Sequence, residues 1–75
     1  MKKIAVLAGN YREFKYFLRD IPPEDHVQYF YGDQVDKFRG LKLEDAIVTG
    51  TFRERKDSYE LYAAAMDRLI RNPSQ

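Results

Sequence analysis

Length, composition and charge already exclude several classes of protein. The chain has 75 residues, no Cys, and 13 Lys and Arg against 12 Asp and Glu. A chain this short buries only about 60% of its unfolded surface, and without Cys no disulfide can reinforce the core. The formal net charge of +1 excludes the broad basic field that drives non-specific nucleic-acid binding.

The sequence also predicts neither a metal site nor a membrane-spanning segment. A structural zinc site usually needs four Cys or His ligands, and His26 is the only residue of either type. The longest apolar run, residues 4–8, is far too short to span a bilayer, and the N-terminus does not resemble a cleavable signal. We therefore expect a cytoplasmic protein with no metal and no membrane contact.

The first third of the chain predicts a strand followed by a helix. Residues 3–8 are apolar without alternation, which is typical of a strand covered on both faces. Asn10 and Glu13 then stand at capping-box spacing and predict a helix over 11–20. The two prolines at 22–23 end that helix, because proline lacks the backbone donor.

The rest of the chain alternates in the same way. It predicts a strand over 26–31, one or two helical turns over 34–39, a strand over 45–49 and a helix from 57 to about 71. Asp57 and Glu60 repeat the capping-box spacing at the start of the last helix. The predicted apolar stripe of that helix consists of Leu61, Tyr62, Ala65, Met66, Leu69 and Ile70.

This order of elements predicts an α/β fold. We expect a minimal three-stranded parallel sheet in the order 2-1-3 with crossover helices, a Rossmann-like βαβαβα arrangement. One domain covers 1–75, with a flexible tail at 71–75. Right-handed crossovers would place the first and last helices on one sheet face and leave the other to residues 34–43.

Two turns in the chain share one pattern: a Gly, a small polar residue, an aromatic residue and an Arg. In the order 2-1-3 both turns lie at the carboxyl ends of neighbouring strands, where α/β sheets bind ligands. We call the following residues the rim: Gly9, Asn10, Arg12, Gly50, Thr51, Arg53 and Arg55. Their amides, charges and helix N-terminus suit an anion.

A purely structural role explains the same residues. The glycines fit backbone turns, Asn10 fits a helix cap, and the arginines fit solvated charges. Neither the Walker A pattern nor the further glycines of the dinucleotide fingerprint are present. No catalytic residue and no cofactor are predicted, since His26 falls at the opposite end of the sheet.

The six Tyr and five Phe are more aromatic residues than a three-stranded core of this size needs. Exposed tyrosines are common at protein interfaces, because they combine apolar area with a polar tip. The candidate interface residues are Tyr16, Tyr29, Tyr31, Phe38 and Tyr59. Either the thinly covered sheet face binds a partner, or Phe38, Leu41 and Leu43 fold over it and seal it.

Three short strings carry a resemblance to a known group of proteins. They are Ala8-Gly9-Asn10-Tyr11-Arg12-Glu13-Phe14, Phe38-Arg39-Gly40-Leu41, and Val48-Thr49-Gly50-Thr51-Phe52 followed by Glu54-Arg55. This pattern resembles small uncharacterised α/β proteins of bacteriophages, especially those that infect actinobacteria. The resemblance implies a phage protein and the fold above, and it implies no activity.

Three functions remain as expectations. The first is a non-enzymatic phage accessory protein that binds a protein; one version of this hypothesis is a homodimer, in which the bound protein is a second copy. The second is a module that holds a nucleotide or another phosphate compound on the rim. The third is nucleic-acid binding through Arg53, Arg55 and Lys56 with Phe52 and Tyr59 interleaved, although acidic residues interrupt that cluster.

Overall fold

Three parallel strands form the sheet that organises the molecule. The computed structural model describes residues 2–22 and 24–70, and its strands are β1 (Lys2–Leu7), β2 (Val27–Tyr31) and β3 (Asp45–Val48). The order is β2-β1-β3, and both neighbouring pairs are parallel. The small α/β fold and the strand order 2-1-3 predicted from the sequence are therefore confirmed.

Two α-helices and two short 3-10 turns connect the strands. The helices are α1 (Tyr11–Arg19) and α2 (Ser58–Asp67), and the 3-10 turns are Val35–Phe38 and Phe52–Glu54. The predicted helical turn over 34–39 is thus a single 3-10 turn. The β2 strand begins at Val27, one residue later than predicted, since His26 has a φ of 69°, outside the extended region.

The two helices begin in different ways. Asn10 caps α1 as predicted, because its side-chain oxygen accepts a hydrogen bond of 2.9 Å from the Glu13 amide. Asp57 occupies the N-cap position of α2 but makes no side-chain capping bond. The predicted capping role of Asp57 is wrong, because its carboxylate is held by Arg55 instead.

The last helix is shorter than predicted. It ends at Asp67, and the chain then pairs with Leu43 in an isolated parallel bridge at Leu69. The Leu43 amide donates to the Arg68 carbonyl, and the Ile70 amide donates to the Leu43 carbonyl, both at 2.8 Å. These bonds replace a further helical turn. The tail predicted at 71–75 lies outside the described residues.

Alternation along β1 divides the core between two sheet faces. Val6 and Ala8 pack with Phe14 of α1 on one face. Ala5 and Leu7 point to the other face, where the buried cluster also contains Phe38, Leu43, Phe52, Leu61 and Ala65. Each face of the central strand is therefore covered, as its continuous apolar sequence predicts.

The predicted placement of the two helices on one face is wrong. Leu61 and Ala65 of α2 lie in the cluster with Ala5 and Leu7, opposite α1. The right-handed rule governs a connection between two parallel strands, and no strand follows α2 in the described part of the chain. The side taken by α2 is set by its buried residues instead.

The segment between β2 and β3 seals the α2 side of the sheet. Phe38 is 1% exposed, Leu43 is fully buried, and Leu41 packs against the same cluster. Gly32 allows this arrangement, because a Cβ there would meet the Phe38 ring at 2.6 Å. Of the two alternatives left open by the sequence, the structure shows the sealed face.

Candidate functional site

The two turns that carry most of the rim are neighbours. Leu7 and Val48, the last residues of β1 and β3, are paired in the sheet register. The turns that follow them therefore start side by side at the carboxyl edge. This is the juxtaposition predicted from the strand order.

A carboxylate of the chain itself occupies the centre of this edge. Glu13 Oε1 accepts hydrogen bonds from the Gly9 amide at 2.8 Å and from the Thr51 amide at 3.0 Å. The Thr51 hydroxyl lies 3.1 Å from both Glu13 carboxylate oxygens. The amide groups expected to bind an external anion thus donate to an internal one.

The bonds to Glu13 favour its charged form. The Thr51 amide is the main cause that lowers the pKa of Glu13, and the Thr51 hydroxyl and the Gly9 amide act in the same direction against desolvation. Gly50 has a φ of 61°, and a Cβ at this position would collide with the Glu13 carboxylate. Gly50 is therefore needed both for the turn and for the space that Glu13 fills.

Arg55 joins the ends of two strands to the start of α2. Its guanidinium donates to the Asp57 carboxylate at 2.8 and 2.9 Å, in a bidentate pair. It also donates to the Tyr31 hydroxyl at 3.0 Å and to the carbonyls of Ala8 and Asp33, each at 3.3 Å. Hydrogen bonding to Asp57 raises the pKa of Arg55 further, and the same bonds lower the pKa of Asp57.

The remaining rim residues differ in whether their side chains already have a partner in the chain. Asn10 uses its side-chain oxygen as the cap of α1. Arg12 and Arg53 are exposed, and neither forms an ion pair with another residue in 2–22 or 24–70. Of the three arginines in the predicted rim, Arg12 and Arg53 offer free charge and Arg55 is structural.

The aromatic candidates divide into packed and exposed residues. Tyr31 stacks on Phe14 with ring centroids 5.2 Å apart, and Tyr29 meets Phe17 edge-on at 6.1 Å, so both contribute to the core on the α1 face. Phe38 is buried and offers no surface to a partner. Tyr16 and Tyr59 are exposed, as predicted.

The outer face of α2 carries an apolar row that was not predicted from the sequence. We call Tyr59, Tyr62, Ala63 and Met66 the α2 stripe; they stand at i, i+3, i+4 and i+7 on one side of the helix, and of the four only Met66 is half-buried, where it also packs against the core cluster. Tyr59 is 86% exposed and Tyr62 is 46% exposed. A shallow pocket of about 370 Å³ separates these tyrosines from Val48 and Phe52.

The sequence contained a signal for this stripe. Within α2, only Glu60 and Asp67 are charged, so the helix is apolar over most of its circumference. Of the inward stripe predicted from the sequence, Leu61 and Ala65 are buried and Met66 and Leu69 pack half-buried against the same cluster, whereas Tyr62 and Ile70 are exposed. Two apolar rows on one helix of nearly three turns indicate two contact surfaces, of which the sheet takes one.

Among residues 2–22 and 24–70, no group of three or more acidic or His side chains could hold a metal ion. In the same residues, no helix is long and apolar enough to cross a membrane. Comparisons of the chain with protein-family models, curated proteins and solved structures found no match.

Proposed function

We propose that this chain is a non-enzymatic accessory protein of a bacteriophage that acts in the host cytoplasm by binding a protein. The phage origin is supported by the resemblance of its three short strings. Protein binding is supported by one structural observation, the exposure of Tyr59, Tyr62 and Ala63 on the α2 stripe. Exposed tyrosines aligned along a helix are typical of a surface that a partner covers.

The phosphate-binding alternative is weaker in this geometry. The amides of Gly9 and Thr51 already donate to the Glu13 carboxylate, and a phosphate in the same place would meet that negative charge. Arg12 and Arg53 could still attract an anion from outside. A phosphate compound would have to displace Glu13 or bind without the two best-placed amides.

Nucleic-acid binding loses two of its predicted contacts. The Arg55 guanidinium is committed to Asp57, Tyr31 and two carbonyls, so it is not free to follow phosphates. Phe52 is 2% exposed and cannot stack on a base. Tyr59, Arg53 and Lys56 are exposed, but one aromatic ring and two cations do not form a stacking platform along a basic groove.

Site-specific photocrosslinking in host cells tests the proposed function. A photoreactive phenylalanine analogue replaces Tyr59 in one protein and Tyr16 in a control, since both positions are exposed and lie on different helices. We expect a defined protein adduct from position 59 that position 16 does not give. Adding Tyr62→Lys should abolish it. Identical adducts from both positions, or none from position 59, would contradict the proposal.

A further inference from the structure

We infer that the α2 stripe binds a second copy of this chain, in a two-fold dimer in which the two α2 helices lie side by side and parallel. This inference rests on the proposed function, because it names the partner of the same surface. The chain is small, and its buried core consists of ten residues within the described ranges. Oligomerisation is one of the ways in which so small a core gains further burial.

Charges flank the α2 stripe with opposite signs. Residues in an α-helix are about 100° apart, so Glu60 lies on one side of Tyr59 and Tyr62 lies about 60° away on the other. Arg53 lines a pocket together with Ser58, which precedes Tyr59 in the helix and therefore lies about 100° from it on the Tyr62 side. The stripe therefore has an acidic side at Glu60 and a basic side at Arg53.

This asymmetry selects one alignment of two copies. A two-fold axis parallel to α2 brings the acidic side of one stripe against the basic side of the other, so Glu60 of each copy faces Arg53 of the second. An antiparallel pair would instead bring the two acidic sides together, including Asp67. Like charges across an interface cost stability, whereas opposite charges fix its register.

The residues at the flanks are available for such contacts. Arg53 and Glu60 are both exposed, and no ion pair within residues 2–22 and 24–70 involves either of them. Ala63, which has no large side chain, lies in the middle of the stripe and allows the helices to approach closely. The tyrosines beside it supply the apolar area of the interface.

Sedimentation equilibrium of the full chain, from low to high micromolar concentration, tests the inference. We expect a monomer–dimer equilibrium whose dissociation constant rises about tenfold or more in Tyr59→Ser. The matched control, Tyr16→Ser, should leave the constant unchanged, since Tyr16 lies on α1. Circular dichroism melts identify any variant that fails to fold.

A charge exchange tests the alignment. Arg53→Glu and Glu60→Arg should each weaken the dimer roughly tenfold, because each creates two like-charge contacts in a symmetric pair. The double variant should recover the wild-type constant within about threefold. If the double variant is no tighter than either single variant, the parallel alignment is wrong.

The test also separates this inference from the proposed function. A wild-type chain that remains monomeric at high micromolar concentration overturns the dimer. If such a monomeric chain crosslinks from position 59 to a different protein, that result still supports protein binding. A crosslink from position 59 to a second copy supports both, and its mass is that of two chains.

Discussion

The rim and the α2 stripe differ in whether their functional groups already have partners within the chain. At the rim, the central amides, the Glu13 carboxylate and the Arg55 guanidinium are all hydrogen-bonded within the chain. On the α2 stripe, Tyr59 has 86% of its surface in water and no apolar neighbour covers it. Polar residues at strand ends are therefore poor evidence of a ligand until their partners are known, whereas uncovered aromatic area indicates a contact still to be made.

The largest expected contrast lies between two aromatic residues that the sequence placed in one interface group. Phe38→Ala should lower the free energy of unfolding by about 3–5 kcal/mol, because it empties a buried position. Tyr59→Ala should change it by less than about 0.5 kcal/mol in dilute, monomeric protein. Urea unfolding at low concentration measures both. Equal losses would mean that Tyr59 is part of the monomer's core.

The second contrast compares two arginines of the rim. Arg55→Ala should cost about 2–3 kcal/mol of unfolding free energy, since it removes charged hydrogen bonds that join β1, β2 and the start of α2. Arg53→Ala should cost less than about 0.5 kcal/mol in the monomer, because its side chain is exposed. Urea unfolding at low protein concentration measures both losses. An Arg55→Ala variant as stable as Arg53→Ala would show that these hydrogen bonds do not stabilise the fold.

The sheet could be predicted because local signals agreed along the chain. The unbroken apolar run of β1, the cap at Asn10 and the alternation of strands and helices all favour one parallel topology. The side taken by α2 could not be predicted in this way. No strand follows the helix in the described residues, so handedness gives no constraint and packing decides.

The sequence predicts the position of the candidate site but not its chemistry. The sequence correctly brings the turns at Gly9 and Gly50 to one edge, and it identifies Glu13 only as part of a helix cap. The hydrogen bonds that Thr51 donates to Glu13 span 38 residues, and spacing rules cannot detect contacts at that separation. Only the three-dimensional arrangement shows that the rim contains its own anion.

Two glycines with left-handed backbone provide a finer test of that arrangement. Gly40 and Gly50 have φ values of 70° and 61°, so alanine at either position should cost about 1–2 kcal/mol through backbone strain. A Cβ at Gly40 meets no atom within 4 Å, whereas one at Gly50 collides with Glu13. Gly50→Ala should therefore be the more destabilising in thermal melts. Equal losses would show that Glu13 moves aside at no cost.

The smallest expected effect is the pH dependence that Glu13 confers. Its pKa is lower in the folded chain than its ordinary value, chiefly because of the Thr51 amide, so the unfolded chain binds a proton more readily. The stabilisation is fully present above the ordinary glutamate pKa of about 4.3 and is lost as pH falls through the lower folded value. Glu13→Gln should therefore lower the melting temperature at neutral pH, and melting should then depend less on pH in this acid range.

A matched carboxylate identifies the cause of that change. Glu54 is exposed on the 3-10 turn near Thr51, and none of the hydrogen bonds or ion pairs described for this edge involves its side chain. Glu54→Gln removes the same charge without removing the bonds to Gly9 and Thr51, so it should leave the acid limb of the melting profile close to wild type. If both variants flatten that limb equally, general charge governs it and the hydrogen bonds to Glu13 do not.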